Sequence, residues 1–425
     1  MGLSIHPITI LRALSTSLEL SNGPGLSRHH WRTAMISLRI AEQLGIDDWQ
    51  CQVLVYSALL HDLGASARWE EKRKLFSTEP GYNLRAHAEA GYQLLKNSPQ
   101  LGMLAEPIRH HHDHWDGSTP NGKTGREIPL LARIINLADR LEVMIREDVG
   151  IFEQRPVILK KLHQLSGSHF DPDLLYALDQ FAGQEGFWLD LVNPNYYQNF
   201  FRNLGEYIWM RFSMDDIINI ADIFAKIIDA TSSFTATHSR AVAEMSIFLS
   251  RIKGYSEEEV KAFHIAGLLH DLGKLAVPNE ILEKPGRLTA EEVLIMRQHP
   301  YYTYRILEQI NGFETIAEWA AYHHETLDGT GYPFRIRGDK LSLGARIVGV
   351  ADVFTALTED RPYRTRMSLA QAEKIIRSMV AGQKLDAGVA ADLFGQGQEA
   401  YLLIQKTYEE NKRNLEESKM VGIGG

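Results

Sequence analysis

The sequence predicts an all-α protein built from two tandem units. Apolar residues recur three and four positions apart in stretches such as WRTAMISLRIAEQLGI (31–46) and HSRAVAEMSIFLSRIKGY (238–255), which is the period of an amphipathic helix. Sustained alternation of apolar and polar residues, the pattern of half-buried strands, is hard to find. A set of motifs recurs about 210 residues later, a period too long for a solenoid, so we infer a duplicated domain.

Length and composition agree with two soluble units. The chain has 425 residues, which is too long for one ordinary hydrophobic core. Its 44% hydrophobic and 23% charged side chains are typical of a soluble globular protein. We place the first domain at residues 1–200 and the second at 201–425. The stretch FGQGQEAYLLIQKTYEENKRNLEESK (394–419) predicts one more helix near the C-terminus.

Charge and cysteine content exclude several classes of partner. Asp and Glu (54) outnumber Lys and Arg (45), for a formal charge of −9, which argues against a nucleic-acid polymer or an anionic membrane surface as partner. No apolar run reaches the roughly 18 residues of a membrane span. Cys51, the only cysteine, cannot form an internal disulfide, so we expect a reducing, cytoplasmic location.

Histidines and aspartates carry the repeat. The motif LLHDLG occurs at 59–64 and again at 268–273, HHDHWDG (111–117) aligns with HHETLDG (323–329), and both LARIINLAD and GARIVGVAD end on aspartate. The repeated polar positions of the second half are His238, His270, Asp271, His299, His323, His324 and Asp352. Their counterparts in the first half are His29, His61, Asp62, His87, His111, His112 and Asp139.

These residue types indicate a metal centre. Neutral imidazoles and carboxylates are the ligands that divalent first-row metals take. Neighbours on a helix diverge by about 100°, so we expect Asp271 to bridge two ions with its two oxygens while His270 binds one. Seven mixed ligands suit a two-metal site better than a single zinc. Buried histidines with ordinary hydrogen-bond partners are the alternative, which the matched spacing in two halves disfavours.

Three motifs of the second half suit a phosphate-containing substrate. Lys274 shares a helix face with His270 and Asp271 if the helix continues that far, and an anion such as phosphate would offset its repulsion from two cations. Arg361 and Arg364 of DRPYR suit a phosphodiester. Tyr332 of DGTGYP (328–333) could stack on a base or dock a partner. The alternatives are a solvated lysine, a surface ion pair and a tight structural turn.

Residues 215 to 395 resemble the HD-GYP domain, a branch of the HD phosphohydrolases, because HSR, LLHDLGK, KPGRLTAEE, QHP, HHETLDGTGYP and ADVFTALTEDRPYR follow in that order. The resemblance implies an all-helical, metal-dependent phosphodiesterase that opens cyclic di-GMP or 3′,3′-cyclic GMP-AMP to a linear dinucleotide. It implies two divalent ions, iron or manganese, on the seven repeated positions of the second half. Asp271 and Lys274 then look catalytic, and Lys274, Arg361, Arg364 and Tyr332 look substrate-binding.

Three positions depart from the family pattern. Phe234 stands where members with a third metal have glutamate, which favours two ions. Thr303 replaces a glycine, and Thr326 replaces an arginine close to the expected site, which leaves the preferred dinucleotide open.

The first half resembles a degenerate copy of the same domain. It keeps all seven repeated positions as a second metal site but has Ala65 in place of Lys274 and lacks both GYP and DRPYR. We expect it to serve scaffolding, dimerisation or regulation. A homodimer and a protein partner at the GYP loop are further expectations. The alternative functions are an HD-type nucleotidase or nucleotide phosphohydrolase, and a non-enzymatic signalling scaffold with vestigial sites.

Overall fold

The computed structural model describes residues 5–20, 28–65, 85–120, 122–193, 195–197, 200, 211–231, 237–360 and 365–420. Within these ranges the regular structure is helical, and β pairing is limited to the isolated bridges Ile5–Phe212 and Ser166–Phe170. The predicted all-α class is confirmed. None of the described helices is both long and apolar enough to cross a membrane.

The chain forms two compact units, His6–Arg211 and Phe212–Gly425, and Met1–Ile5 groups with the second. Ile5 and Phe212 exchange two backbone hydrogen bonds of 3.0 and 2.8 Å. The helices whose bounds are described in the first unit are α1 (Pro7–Glu19), α2 (His29–Leu44), α3 (Asp48–Leu60), α4 (Arg85–Leu95), α5 (Ala105–Arg109), α6 (Leu130–Val143), α7 (Ile151–Gln164), α8 (Pro172–Ala182) and α9 (Glu185–Val192).

The helices of the second unit are α10 (Met214–Ala230), α11 (His238–Ile252), α12 (Glu257–Leu269), α13 (Asn279–Leu282), α14 (Ala290–Met296), α15 (His299–Leu307), α16 (Glu314–Ala321), α17 (Leu343–Thr358), α18 (Leu369–Ala381), α19 (Ala387–Gly395) and α20 (Gly397–Met420). The stretches 31–46, 238–255 and 394–419 fall on α2, α11 and α20. A capping box between Ser256 and Glu259 starts α12.

Close packing around α11 brings the ligand-bearing segments together. α11 packs on α12 and on α17. A Cβ at Gly267 would lie 2.4 Å from Cα of Ala243, so glycine allows α12 to approach α11 one turn before His270. The buried apolar side chains of these helices, among them Phe263, Leu268 and Phe354, fix the end of α12 beside the first turn of α11.

Candidate metal centre

The HD pair lies at a helix end, and the condition that the helix continue as far as Lys274 is not met. α12 ends at Leu269, His270 is its C-cap, and a 3-10 helix spans Leu272–Ala276. Asp271 has φ −96° and ψ 12°, outside helical geometry. The break removes the divergence of neighbouring helical side chains, so Nε2 of His270 lies 3.2 Å from Oδ2 of Asp271.

Thr303 and Gly273 hold this break in place. The Thr303 hydroxyl donates to the carbonyl of His270 (3.1 Å) and accepts from the amide of Gly273 (2.9 Å). A Cβ at Gly273 would lie 1.9 Å from the His299 carbonyl oxygen, so the glycine lets two ligand segments touch. The departure at Thr303 therefore supplies two buried hydrogen bonds where a glycine would supply none.

All seven repeated positions of the second unit converge. Their ligand atoms fall into three overlapping groups, each with its atoms within 4.8 Å of one another: His238, His270 and Asp352; His270, Asp271 and His323; His299, His323 and His324. Oδ1 of Asp271 lies 3.3 Å from Nε2 of His299. The two oxygens of Asp271 thus face different histidines, in the position expected of a bridging carboxylate.

Backbone contacts orient three of the imidazoles. Nδ1 lies 2.8 Å from the Gly267 carbonyl in His270, 2.8 Å from the Met296 carbonyl in His299 and 2.7 Å from the Ala320 carbonyl in His323. A carbonyl only accepts, so each Nδ1 carries the proton and each Nε2 presents a lone pair. Nε2 of His299 and Nε2 of His323 face each other at 3.4 Å, an arrangement that a cation between them would satisfy.

Burial keeps these rings neutral. It lowers the pKa of His299 to about 3 and that of His323 to about 4, and it holds the pKa of His324 well below the usual range. Neutral imidazole is the ligand form. At neutral pH these three rings therefore offer lone pairs. Against the effect of burial, Glu359 and Asp352 raise the pKa of His238 to about 10, so a metal ion would displace a proton from that ring.

Glu359 is a site residue that the sequence reasoning missed. Its Oε1 lies 3.1 Å from Nδ1 of His238, whose Nε2 lies 3.1 Å from Oδ1 of Asp352. A carboxylate on the far nitrogen fixes the orientation of a ligand imidazole and raises its basicity. Glu359 is buried and far from His238 along the chain. Only its carboxylate beside the DRPYR motif offered a signal.

Lys274 contacts the bridging carboxylate directly. Its Nζ forms an ion pair with Oδ2 of Asp271, and 19% of its side chain is exposed. Together with His270, and against the effect of burial, Lys274 holds the pKa of Asp271 well below the usual range. The lysine therefore adds a positive charge at the open edge of the cluster.

The loop around DGTGYP is built on Glu325, which follows His324. The buried carboxylate accepts from the amides of Phe334 (2.7 Å), Arg335 (3.0 Å) and Ile336 (3.0 Å). The Thr326 hydroxyl donates to Asp328 at 2.5 Å, so it is used within the loop. Tyr332 lies beside the cluster, its ring centroid 4.8 Å from that of His324 and 4.9 Å from the Arg297 guanidinium.

Gly331→Ala should disturb both this loop and the neighbouring ligand His324. A Cβ there would lie 2.5 Å from Cα of Glu325 and 2.6 Å from the His324 carbonyl oxygen, so one of the two segments must move. We expect turnover to fall by about 10²-fold, the cost of a small misplacement near reacting groups, and metal content to fall with it. Gly395→Ala, which meets nothing within 4 Å, is the matched control. Wild-type turnover in Gly331→Ala would show that the loop does not position substrate.

Two groups of predicted residues lie outside the described ranges. Arg361 and Arg364 fall in the gap between residues 360 and 365, and Phe234 falls between 231 and 237. Their predicted roles stay predictions.

The first unit gathers a parallel cluster. Two groups have ligand atoms within 4.8 Å: His29, His30, His61 and Asp62; and Asp62, His87, His111 and His112. Nδ1 of His61 lies 2.8 Å from the Ala58 carbonyl and Nδ1 of His111 lies 2.6 Å from the Ile108 carbonyl, so these rings are oriented as in the second unit. Nδ1 of His29 lies 2.5 Å from Glu142, a second orienting carboxylate that the sequence reasoning missed.

Asp139 and Ala65 distinguish this cluster from the other. Asp139 lies 3.4 Å from Nε2 of His29 but also forms an ion pair with Arg140 at 2.7 Å, and it is in neither ligand group. Ala65 is fully buried in the position of Lys274. Among the described residues the first unit therefore gathers imidazole and carboxylate groups around Asp62, with Ala65 in the place of the lysine.

The donor sets of both units fit divalent first-row ions. They consist of imidazole nitrogens and carboxylate oxygens, buried and held by carbonyl or carboxylate partners. Neighbouring carboxylates raise the pKa of His29, His30 and His238, so a metal ion would displace a proton from these three rings. In the second unit the residues that would hold the ions are the seven repeated positions, with Asp271 between the groups.

Comparison with known proteins places this arrangement. A family model described as "HD domain" matches residues 14–174 and 222–389. The chain is 33% identical over 383 residues to a 3′3′-cGAMP-specific phosphodiesterase 1 of Vibrio cholerae, covering 88% of both chains. It is 29% identical to a 3′3′-cGAMP-specific phosphodiesterase 3 of the same organism, covering 94% of this chain and 95% of the relative.

Two further likenesses differ in extent. A cyclic di-GMP phosphodiesterase of Pseudomonas aeruginosa is 41% identical but over only 33% of this chain and 34% of its own. A crystal structure of a cyclic GMP-AMP specific phosphodiesterase from Vibrio cholerae superposes with a TM-score of 0.66 at 26% identity, covering 92% of this chain and 98% of the other. With HD sequences matched in both halves and the GYP loop in the second, the chain belongs to the HD domain family, in its HD-GYP branch.

Proposed function

We propose that the second unit is a metal-dependent phosphodiesterase that opens 3′,3′-cyclic GMP-AMP to a linear dinucleotide. The observation that carries the proposal is the ion pair of Lys274 with Asp271 at the open edge of a seven-ligand cluster. The choice of dinucleotide rests on the relatives matched over nearly the whole chain, which are named for 3′3′-cGAMP. The shorter matches include cyclic di-GMP phosphodiesterases, so cyclic di-GMP is the competing substrate.

Divalent ions bound by the cluster would lower the pKa of a water and polarise the phosphoryl group. The residues of the chain then have separate tasks. Asp271 holds negative charge between the two groups of histidines, and Lys274 neutralises charge that develops on the phosphoryl oxygens. Tyr332, held between His324 and Arg297, offers a face on which a base can stack. Net hydrolysis adds water across the P–O3′ bond, and the proton ends on the leaving 3′ oxygen.

The test is product analysis of the purified chain. The protein is reconstituted separately with Fe²⁺ and Mn²⁺, the two ions expected here, and offered 3′,3′-cyclic GMP-AMP, cyclic di-GMP and cyclic di-AMP. We expect linear dinucleotide from the first at the highest kcat/KM. Faster cleavage of cyclic di-GMP would refute the substrate choice, and no cleavage of any of the three would refute the enzymatic function. A homodimer, a partner at the GYP loop and the cytoplasmic location stay predictions.

Asp62→Ala should reduce hydrolysis much less than Asp271→Ala. The first unit has a cluster around Asp62 but Ala65 in place of the lysine, and a metal site alone does not hold a phosphodiester for attack. We expect the loss in Asp62→Ala to appear in melting temperature, because bound metal contributes folding free energy. Kinetics and thermal melts of both variants and of the double variant are the measurement. A well-folded Asp62→Ala protein as inactive as Asp271→Ala would show that the first centre takes part in turnover.

A further inference from the structure

The two clusters differ at the helix start that carries the first histidine. In the second unit His238 is followed by Ser239, and in the first unit His29 is followed by His30. The amides of both following residues donate to a buried carboxylate, His30 to Glu19 at 2.6 Å and Ser239 to Asp229 at 3.3 Å. The Ser239 hydroxyl also donates to Asp229 at 2.7 Å. A serine is thus sufficient for this cap.

His30 does more than replace that serine. Its Nδ1 lies 3.1 Å from Oε1 of Glu19 and its Nε2 lies 3.5 Å from Oδ2 of Asp62. The residue is 2% exposed, and neither of its ring nitrogens makes a hydrogen bond of good geometry among the described residues. A buried ring nitrogen without a partner is costly and calls for an explanation such as an ion. The same Nε2 is within 4.8 Å of ligand atoms of His29, His61 and Asp62.

Asp139 differs from its counterpart in the second unit because an arginine follows it and pairs with it. Its counterpart Asp352 is followed by Val353 and has its Oδ1 3.1 Å from Nε2 of His238. Asp139 is followed by Arg140, whose Nε and Nη2 both donate to its Oδ2, at 3.0 and 2.7 Å. The guanidinium neutralises the carboxylate, and its positive charge opposes a cation bound at the same carboxylate.

We infer that the first unit binds a divalent cation through His29, His30, His61 and Asp62, with His30 in the role that Asp352 has in the second unit. Glu19 lies behind the His30 ring, with its Oε1 3.1 Å from Nδ1, the side on which a carboxylate usually stands behind a ligand histidine. Asp139 is not a ligand of this ion. The inference concerns metal binding by the first unit and does not depend on the substrate of the second.

The experiment measures Zn²⁺ affinity of the full-length chain with one centre removed. His270→Ala combined with His323→Ala breaks all three ligand groups of the second unit, so a chromophoric chelator competing for Zn²⁺ reports the first. In this background we expect His30→Ser to weaken binding by at least about tenfold and Asp139→Asn to change it by less than threefold. His30→Gln, close in size but a poor ligand, guards against a packing defect, and circular dichroism checks folding.

The mirror experiment supplies the matched control. With both ligand groups of the first unit broken by His61→Ala, Asp62→Ala and His111→Ala, Asp352→Asn should weaken Zn²⁺ binding at least about tenfold, whereas Ser239→Ala should not. The inference is overturned if folded His30→Ser or His30→Gln binds as tightly as its parent, or if Asp139→Asn weakens binding as much as Asp352→Asn does. Neither result bears on hydrolysis, so failure here leaves the phosphodiesterase proposal standing.

Discussion

Asp271→Ala should abolish hydrolysis and lower the metal content of the second unit. The carboxylate lies between two groups of ligands, Oδ1 3.3 Å from Nε2 of His299 and Oδ2 3.2 Å from Nε2 of His270. Its removal takes away the negative charge that lies between His270 and His299. We expect a loss beyond the roughly 10²–10³-fold that follows removal of a single preorganised group. Turnover and elemental analysis of the same preparation are the measurements.

The control for this variant is Asp271→Asn, which keeps size and removes charge. It should lose metal almost as completely as Asp271→Ala if the shared charge matters, and it should melt as a folded protein. Full activity with a normal metal content in either variant would refute the reading of Asp271 as a bridging ligand.

Lys274→Ala should separate turnover from metal binding. The lysine is in contact with Asp271, and its ammonium has no lone pair to offer a metal ion. We expect unchanged metal content and a rate lower by about 10²-fold, because a positioned cation is lost from the charge that develops at phosphorus. The comparison of kcat with elemental analysis gives the answer. Lys261→Ala, which breaks an exposed ion pair with Asp215, is the control and should be nearly neutral.

Loss of metal together with turnover in Lys274→Ala would assign the lysine a structural role, since it would then be needed to hold Asp271 in place. A rate within a fewfold of wild type would contradict the proposal that Lys274 distinguishes the catalytic second unit from the first unit.

The sequence predicted which histidines and aspartates of the second unit come together, because the duplication repeats their spacing. Seven positions recur in order, and the structure brings all seven of the second unit into overlapping groups. The helix end at Leu269 was not predicted. The apolar run through LLHDLGKLA continues without proline, and the break depends on contacts with Thr303 and the His299 backbone that only the fold supplies.

The carboxylates that contact the far nitrogens of His238 and His29 could not be predicted from the sequence either. Glu359 meets His238 and Glu142 meets His29 from the far end of another helix, and a lone glutamate in an amphipathic pattern resembles a surface residue. His30 was visible as the second letter of a His-His pair, but the repeat places serine at that position, so comparison of the halves drew attention away from it. Of the adjacent histidine pairs, the sequence predicts as metal ligands only those that occur in both halves.

His324 and Glu325 are consecutive, and this adjacency links two events that chemistry alone would keep apart. The ring of His324 faces other histidines of the cluster, and the carboxylate of Glu325 accepts hydrogen bonds from three amides of the loop around DGTGYP. A change in backbone position at this point moves both. If a dinucleotide orders the loop and thereby tightens the hold on the ions, the ions must tighten the hold on the dinucleotide by the same factor, because coupling free energy is reciprocal. A cell short of metal would then lose affinity for the messenger as well as the rate of its destruction.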